Sequence, residues 1–521
     1  MRTEENAASF FVDRHATGDA GARVAFRDPW RSLTYAELKS ASSRFASALA
    51  RAGIVREQRI ALSMLDTIDF PIAFWGALRA GVVPVPVNTL LAPEQAGYIL
   101  ADSRARALVV SSPLLAPLRP ILAALAEPPR IIVAGVEGNL PDVACMEIRL
   151  AEILATGRDD LPPLPVSADE VAFWLYSSGS TGLSKGVKHV HGSLRATAET
   201  YGTTVLGIRP DDLVFSAAKL FFAYGLGNAM TFPMSVGAST ILLPGRPTAE
   251  AVLATIRTFQ PSVFAGVPTL YAALLAHPAL GPGAGSKRLS RAISAGEPLP
   301  EAIGRRWLEA VGVEILDGLG TTEMLHIFLS NAPGDVHYGT SGRPVPGYEV
   351  RIVDANDVPV TDGEAGELIV SGPSAAEGYW NLREKSRATF RGSWTHTGDT
   401  YVRNPDGTYR YCGRADDMMK VGGIWVSPFE VEATLMAHPA VLEAAVVGHP
   451  DQAGLIKPKA FIVLKPEMQA LAPPVLQEQL KKHVREKIGV WKYPRWIEFI
   501  DTLPKTATGK IERYKLRASA R

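Results

Sequence analysis

Val171-Ala-Phe-Trp-Leu-Tyr-Ser-Ser-Gly-Ser-Thr-Gly-Leu-Ser-Lys-Gly186 joins two kinds of sequence. The apolar run Val171 to Tyr176 reads as a buried strand. Ser177, Ser178, Gly179, Ser180, Thr181 and Gly182 then supply hydroxyls and pliable backbone, and Lys185 adds a cation. Such a loop can wrap phosphate oxygens with N–H and O–H donors. By composition alone it is equally a Ser/Gly-rich linker. It is not a Walker A loop, because Gly186 follows Lys185 where that motif needs Ser or Thr. A loop leaving a strand end is where nucleotide sites form, so the flanking sequence carries the decision.

Upstream, helical patterns alternate with short β-branched runs. Leu33-Thr-Tyr-Ala-Glu-Leu38 opens a helix continuing through Ala41, Phe45 and Leu49. Arg59–Ser63, Gly81–Val87, Ala107–Ser111 and Ile131–Ala134 read as strands. The alternation predicts an α/β chain with largely parallel sheets. Gly281–Ser286 reads as a surface loop. Beyond Gly366-Glu-Leu-Ile-Val370 the texture changes to short strands, with a hairpin signal at Asp406-Gly407. Ser427-Pro-Phe-Glu430 predicts a helix start, with Ser427 as N-cap, Pro428 at the first position and Glu430 completing a capping box. Two apolar runs, Ala444–Gly448 and Ala460–Leu464, precede a helix with Leu476, Leu480, Val484 and Ile488 on one stripe. This predicts a separate small α/β domain of roughly a hundred residues.

The 521 residues are 47% hydrophobic and 21% charged, with Lys plus Arg (54) balancing Asp plus Glu (53). That suits a globular protein of more than one domain and gives no sign of a nucleic-acid or membrane partner. Cys145 and Cys412 are too few for a metal site or disulfide framework. The polar, acidic start and the proline-interrupted apolar stretch Ile68–Val87 predict a cytoplasmic location.

Four further segments carry chemistry. In Asp317-Gly-Leu-Gly-Thr-Thr-Glu323, glycines allow backbone to approach a flat ring, and Glu323 suits Mg²⁺. In Trp394-Thr-His-Thr-Gly-Asp-Thr400, Asp399 can accept ribose hydroxyls or simply cap a turn. Gly413-Arg-Ala-Asp-Asp-Met-Met-Lys-Val-Gly-Gly423 falls at the domain boundary, and Lys505-Thr-Ala-Thr-Gly-Lys510 near the C-terminus. A lysine is usually a solvated surface charge. Singly these are weak. Together and in this order, from about Leu33 to Lys510, they resemble the adenylate-forming acyl- and aryl-CoA synthetases.

The resemblance implies a large N-terminal domain, 1–414, of two α/β sheets plus a β-barrel-like subdomain. A hinge near Asp416 would join it to a mobile α+β lid, 415–521. It implies that Ser177 to Gly182 with Lys185 hold the ATP β- and γ-phosphates. Thr322 would meet the α-phosphate and Glu323 the Mg²⁺. Gly296, Glu297, Pro298 and Leu319 would enclose the adenine, with Asp317 near its amine; Asp399 and Arg414 would hold the ribose. Lys510 would bridge carboxylate and α-phosphate during adenylation. Leu319 stands where many members carry an aromatic residue.

Ser216-Ala-Ala-Lys-Leu-Phe-Phe-Ala-Tyr-Gly-Leu-Gly-Asn228 and Glu323-Met-Leu-His-Ile-Phe-Leu-Ser-Asn331 resemble the benzoate-CoA ligase group, with Phe222 where fatty-acid relatives place His. That implies a flat pocket lined by Ala223, Tyr224, Gly320, His326 and Ile327, with Ala265 and Ala295 as further candidates. Tyr224 and His326 would be its polar groups, and Lys420 would meet the carboxylate after domain rotation. Without the resemblance, Phe221–Tyr224 reads as ordinary core. The expected reaction takes a carboxylate, ATP and CoA through an aryl-AMP, for benzoate or a 2-amino, 3-hydroxy or 4-hydroxy relative. Loading of a carrier-protein phosphopantetheine arm uses the same motifs. Monomer and homodimer both stay open.

Overall fold

The computed structural model describes residues 5–135, 147–177, 184–414, 417–421, 424–452, 455–468, 473–505 and 511–519. Within them lie two α/β sheets, an antiparallel subdomain and a small C-terminal unit.

The first sheet has five parallel strands in the order Val83–Pro86, Arg59–Ser63, Ala107–Ser111, Arg130–Ala134 and Glu147–Arg149. Ala107–Ser111 is buried throughout, as expected of a parallel strand covered on both faces. The predicted strand at Gly81–Val87 is shorter, Val83–Pro86. The helix Tyr35–Arg51 has a full capping box. Thr34 Oγ1 accepts from Glu37 N at 3.2 Å, and the Glu37 carboxylate accepts from Thr34 N at 2.8 Å. Its stripe of Leu38, Phe45 and Leu49 is buried.

The second sheet has nine strands. A parallel central block, Val24–Arg27, Ser239–Ile241, Leu213–Ser216, Val263–Gly266, Arg291–Ser294 and Ile315–Gly320, is flanked by antiparallel Ser32–Thr34 on one side and by Ile327–Ser330 and Arg343–Pro344 on the other. Gly281–Ser286 is only partly a surface loop, for Ala284 and Ser286 are buried and Ser286 Oγ donates to the Pro261 carbonyl at 2.8 Å.

The opening stretch forms strand Val171–Ser177, which turns back antiparallel on Lys185–Val190. The two-residue strand Gly378–Tyr379 joins this hairpin, with Tyr379 opposite Val187. Beyond lies the antiparallel subdomain built on Glu349–Val353, Ala365–Ser371, Trp394–Arg403 and Tyr409–Arg414. Its last hairpin turns at Asp406-Gly407, where Gly407 has φ +83° and the Asp406 carboxylate accepts from Thr408 N at 2.9 Å.

In the C-terminal unit, Val441–Pro450 pairs antiparallel with Ile456–Leu464, and Trp496–Phe499 adds in parallel. Leu476, Leu480 and Val484 of helix Pro473–Ile488 sit in a core separate from those of the large domain. Each such burial contributes about 1.5–3 kcal/mol. Ser427 caps helix Pro428–Met436 as expected, accepting from Glu430 N at 3.1 Å. Glu430 does not close a capping box; its carboxylate is taken by Lys492 Nζ, 2.7 Å from both oxygens. No helix among the described residues is long and apolar enough to cross a membrane.

Candidate active site

The parallel strands Leu213–Ser216, Val263–Gly266, Arg291–Ser294 and Ile315–Gly320 end on one edge, the usual place for a ligand in an open α/β sheet. The sheet pairing of Gly378–Tyr379 with the hairpin Val171–Ser177/Lys185–Val190 brings Tyr379 to Lys185. Lys185 Nζ donates to Tyr379 Oη at 2.9 Å and lies 3.0 Å from Glu323 Oε1, to which Tyr379 also donates at 2.7 Å. Burial opposes charge on Glu323, but Lys185 and the Tyr379 hydroxyl outweigh it and hold the carboxyl below its ordinary range. A cation, a hydroxyl and an ionised carboxylate therefore meet at the root of the Ser/Gly loop. Ser177 ends the strand there; Ser178 to Gly182 lie outside the described residues.

Thr322 and Glu323 stand on the short turn Thr322–Met324, capped by Thr321 Oγ1, which accepts from Met324 N at 3.2 Å. His189 Nε2 is 2.8 Å from the Thr322 carbonyl. Burial pushes the His189 imidazole down to about 4, so it is neutral and its N–H braces the turn. The chain then makes a γ-turn. His326 N donates to Met324 O at 2.8 Å around Leu325, whose φ is +64° and ψ −41°. This strained residue separates Glu323 from His326.

Asp317 is buried on strand Ile315–Gly320, and its Oδ1 has no hydrogen-bond partner among the described residues. Burial raises its carboxyl to about 8. Half-buried Leu319 follows on the same strand, and Gly296, φ +91°, opens the turn with Glu297 and Pro298 after Arg291–Ser294. Asp399 and Arg414 face each other across the antiparallel hairpin, with Arg414 NH1 3.1 Å from Asp399 Oδ1. Gly398, φ +69°, leaves room for that guanidinium; a Cβ there would lie 2.9 Å from Arg414 NH2.

The expected ring-pocket residues gather at the same strand ends. Half-buried Ala223 and Tyr224 open helix Ala223–Leu226; Gly320 and Ile327 are partners across the Ile315–Gly320 and Ile327–Ser330 strands. Gly320 admits no side chain, since a Cβ would meet the His326 carbonyl at 2.6 Å. Ala265 is wholly buried and Ala295 nearly so, both in the core against which Ala223, Tyr224 and Leu319 pack. The Tyr224 hydroxyl differs from expectation. It lies 3.0 Å from the carbonyls of both Gly266 and Ile293, so it braces the strand ends and is not a spare polar group. His326 is ringed by Tyr201, Tyr224 and Phe232, with centroids 5.3, 5.8 and 4.5 Å away. Burial drives its imidazole down to about 3, and Nδ1 has no partner among the described residues.

Sequence reasoning missed Tyr379, His189 and Asn228. Asn228 Nδ2 donates to the Tyr224 carbonyl at 3.0 Å and sits 3.3 Å from His326 Nε2. It lies on a π-helical turn, Gly227–Thr231, an irregularity that often marks functional sites. Gly378-Tyr-Trp380 was the one available signal for Tyr379. Lys420 lies on strand Met419–Val421 opposite Trp425. Asp416 and Lys510 fall outside the described residues.

The large-domain sequence matches the AMP-binding enzyme family over residues 12–380, and the AMP-binding enzyme C-terminal domain matches over 430–510. The chain belongs to this adenylate-forming family. It is 52% identical over 512 residues to a 4-hydroxybenzoate–CoA/benzoate–CoA ligase of Rhodopseudomonas palustris, covering 98% of this chain and 94% of that protein. A crystal structure of a benzoate CoA ligase from Burkholderia xenovorans is similar at TM-score 0.90 and 49% identity, covering 98% of this chain and 100% of the other. An anthranilate CoA ligase in complex with anthranoyl-AMP matches at TM-score 0.93 and 41% identity, over 100% and 98% of the two chains.

Proposed function

We propose that this chain is an ATP-dependent aryl-CoA ligase, which activates benzoate or a hydroxy- or amino-benzoate as the aryl-AMP and then transfers the aryl group to CoA. One observation carries the reading. The single segment Asp317–Ile327 supplies a buried carboxyl oxygen with no partner among the described residues, the carboxylate that Lys185 and Tyr379 hold and, past the γ-turn, an uncharged histidine among aromatic rings. Nucleotide and ring sites thus share one backbone, which suits in-line attack of a ring-borne carboxylate on an α-phosphate.

Attack by an anion on a polyanion needs charge neutralised as the pentacoordinate state forms. Lys185, at the loop root, would turn from Glu323 to the phosphates. Thr322 would donate to the α-phosphate, and Asp399 with Arg414 would fix the ribose. The Asp317 oxygen would accept from the adenine amine beside Leu319 and the Gly296–Pro298 turn. Glu323, kept ionised, fits a Mg²⁺ ligand, and the ion would supply charge neutralisation on the phosphate oxygens. The ring would lie among Ala223, Tyr224, Gly320, His326 and Ile327, backed by Ala265 and Ala295. For the lid we adopt 1–414 and 415–521 with a pivot at Asp416, Lys510 serving adenylation and Lys420 the second step; the sheet texture changes there and the C-terminal core is separate.

The test is pyrophosphate release across a panel of substituted benzoates, with and without CoA. Release dependent on the aromatic acid, followed by aryl-CoA formation from free CoA, is the expected result. Aryl-AMP that accumulates and acylates only a phosphopantetheine carrier would replace the CoA reading, and release with aliphatic acids alone would remove the aryl reading.

A further inference from the structure

Lys219 lies in the loop between strand Leu213–Ser216 and helix Ala223–Leu226, four residues before the first ring-pocket residue that helix carries. Its side chain is 13% exposed and enters a junction of three loops. Nζ donates to the carbonyls of Leu243 and, at 2.7 Å, Gly245, which follow strand Ser239–Ile241. Asp66, from the loop after strand Arg59–Ser63 in the other sheet, lies 3.9 Å from the same ammonium, and its second oxygen accepts from Leu220 N at 3.3 Å. The Lys219 carbonyl in turn accepts from Phe222 N at 3.0 Å. Gly225 presses onto this loop so closely that a Cβ would meet the Lys219 carbonyl oxygen at 2.0 Å. Two of the ammonium's three N–H donors are taken by the Leu243 and Gly245 carbonyls, and Asp66 balances its charge.

A buried ion pair is a poor source of stability, because desolvation consumes most of the attraction. Its use is geometric: it fixes one arrangement of the elements it ties. Here those elements are the two sheets and the segment that presents Ala223 and Tyr224.

We infer that Lys219, held by Asp66 and the Leu243 and Gly245 carbonyls, is a positioning residue that sets the wall of the aryl pocket and so the choice among ring substituents. This rests on the pocket reading above. It acts through Leu220 to Tyr224 and not on the acid itself.

The experiment compares Lys219→Met, Lys219→Arg and Asp66→Asn, measuring KM and kcat for benzoate, 2-aminobenzoate and 4-hydroxybenzoate, and KM for ATP. Lys219→Met should raise KM for the preferred acid at least ~10-fold and narrow the preference among the three acids, with KM for ATP within about twofold. Asp66→Asn keeps an acceptor for Leu220 N and should show a smaller change in the same direction; Lys219→Arg should recover part of the loss. If the acid and ATP constants move together, or neither moves, Lys219 does not position the pocket. Should Lys219→Met fail to fold, Asp66→Asn with unaltered acid preference overturns the inference equally. Ala223→Leu run alongside separates the two readings: if it leaves aryl KM untouched, the pocket reading itself falls.

Discussion

Lys185 Nζ has two hydrogen-bond partners among the described residues, and in the proposed reaction a triphosphate would draw it from both. Tyr379 is the residue that makes that exchange workable, since its hydroxyl accepts from Lys185 and donates to Glu323. When Lys185 swings away, Glu323 keeps one hydrogen bond and its orientation. Tyr379→Phe deletes only the oxygen. A hydrogen bond to a charged group contributes about 1.5–3 kcal/mol, so KM for ATP should rise ~10- to 100-fold while KM for the aromatic acid stays within about twofold. Initial rates of pyrophosphate release measure this; an unaltered ATP constant would remove Tyr379 from the site. Glu323 and Asp317 were legible in sequence because they share one short motif. Tyr379 was not, because it reaches Lys185 by pairing with Val187, nearly two hundred positions earlier, and local periodicity carries no trace of that register.

Among the elements, the γ-turn at Leu325 and the π-turn Gly227–Thr231 do what regular structure does not. The first reverses the chain within one residue; the second packs Gly227 and Asn228 against His326. At Gly227 a Cβ would lie 2.4 Å from His326 Cδ2 and 2.9 Å from Phe232 Cζ. Gly227→Ala should therefore displace the imidazole at a cost of about 1–3 kcal/mol. The expected result is a ~10- to 100-fold fall in kcat/KM for the aromatic acid with little change in apparent ATP affinity; equal losses in both would mean general damage. The strands and the Ser427 cap were readable from alternation and capping chemistry. The π-turn was not, since one inserted residue barely disturbs an apolar pattern. Glu430 was misassigned because Lys492, distant in sequence, competes for its carboxylate.

For the whole molecule, buried titrating groups set the response to acid. His189 and His191 are held down to about 4 and His326 to about 3, each by burial. Between those values and 6.5 the unfolded chain binds protons that the folded chain refuses, so stability falls as pH drops, by up to ~1.4 kcal/mol per pH unit per histidine. Asp66 and Asp317, raised by burial to about 6 and about 8, act in the opposite sense and lose stability as pH rises through those values. The thermal midpoint should accordingly peak near pH 6.5. His191→Gln should reduce the acid-side slope by up to ~1.4 kcal/mol per pH unit; a slope identical to the parent's would show that His191 is protonated in the fold.

Strand Val24–Arg27 is inserted into the nine-stranded sheet beside Ser239–Ile241, Phe26 facing Thr240. On the ribosome, therefore, the amino-terminal strand emerges more than two hundred residues before its partner. The parallel sheet spanning residues 59–149 can close early, while Val24–Arg27, paired only with Ser32–Thr34, must wait with its other edge open to proteases and holdases. Nascent chains arrested before Ile241 has cleared the exit tunnel should be cut by trypsin at Arg23 and Arg27, and longer chains should resist.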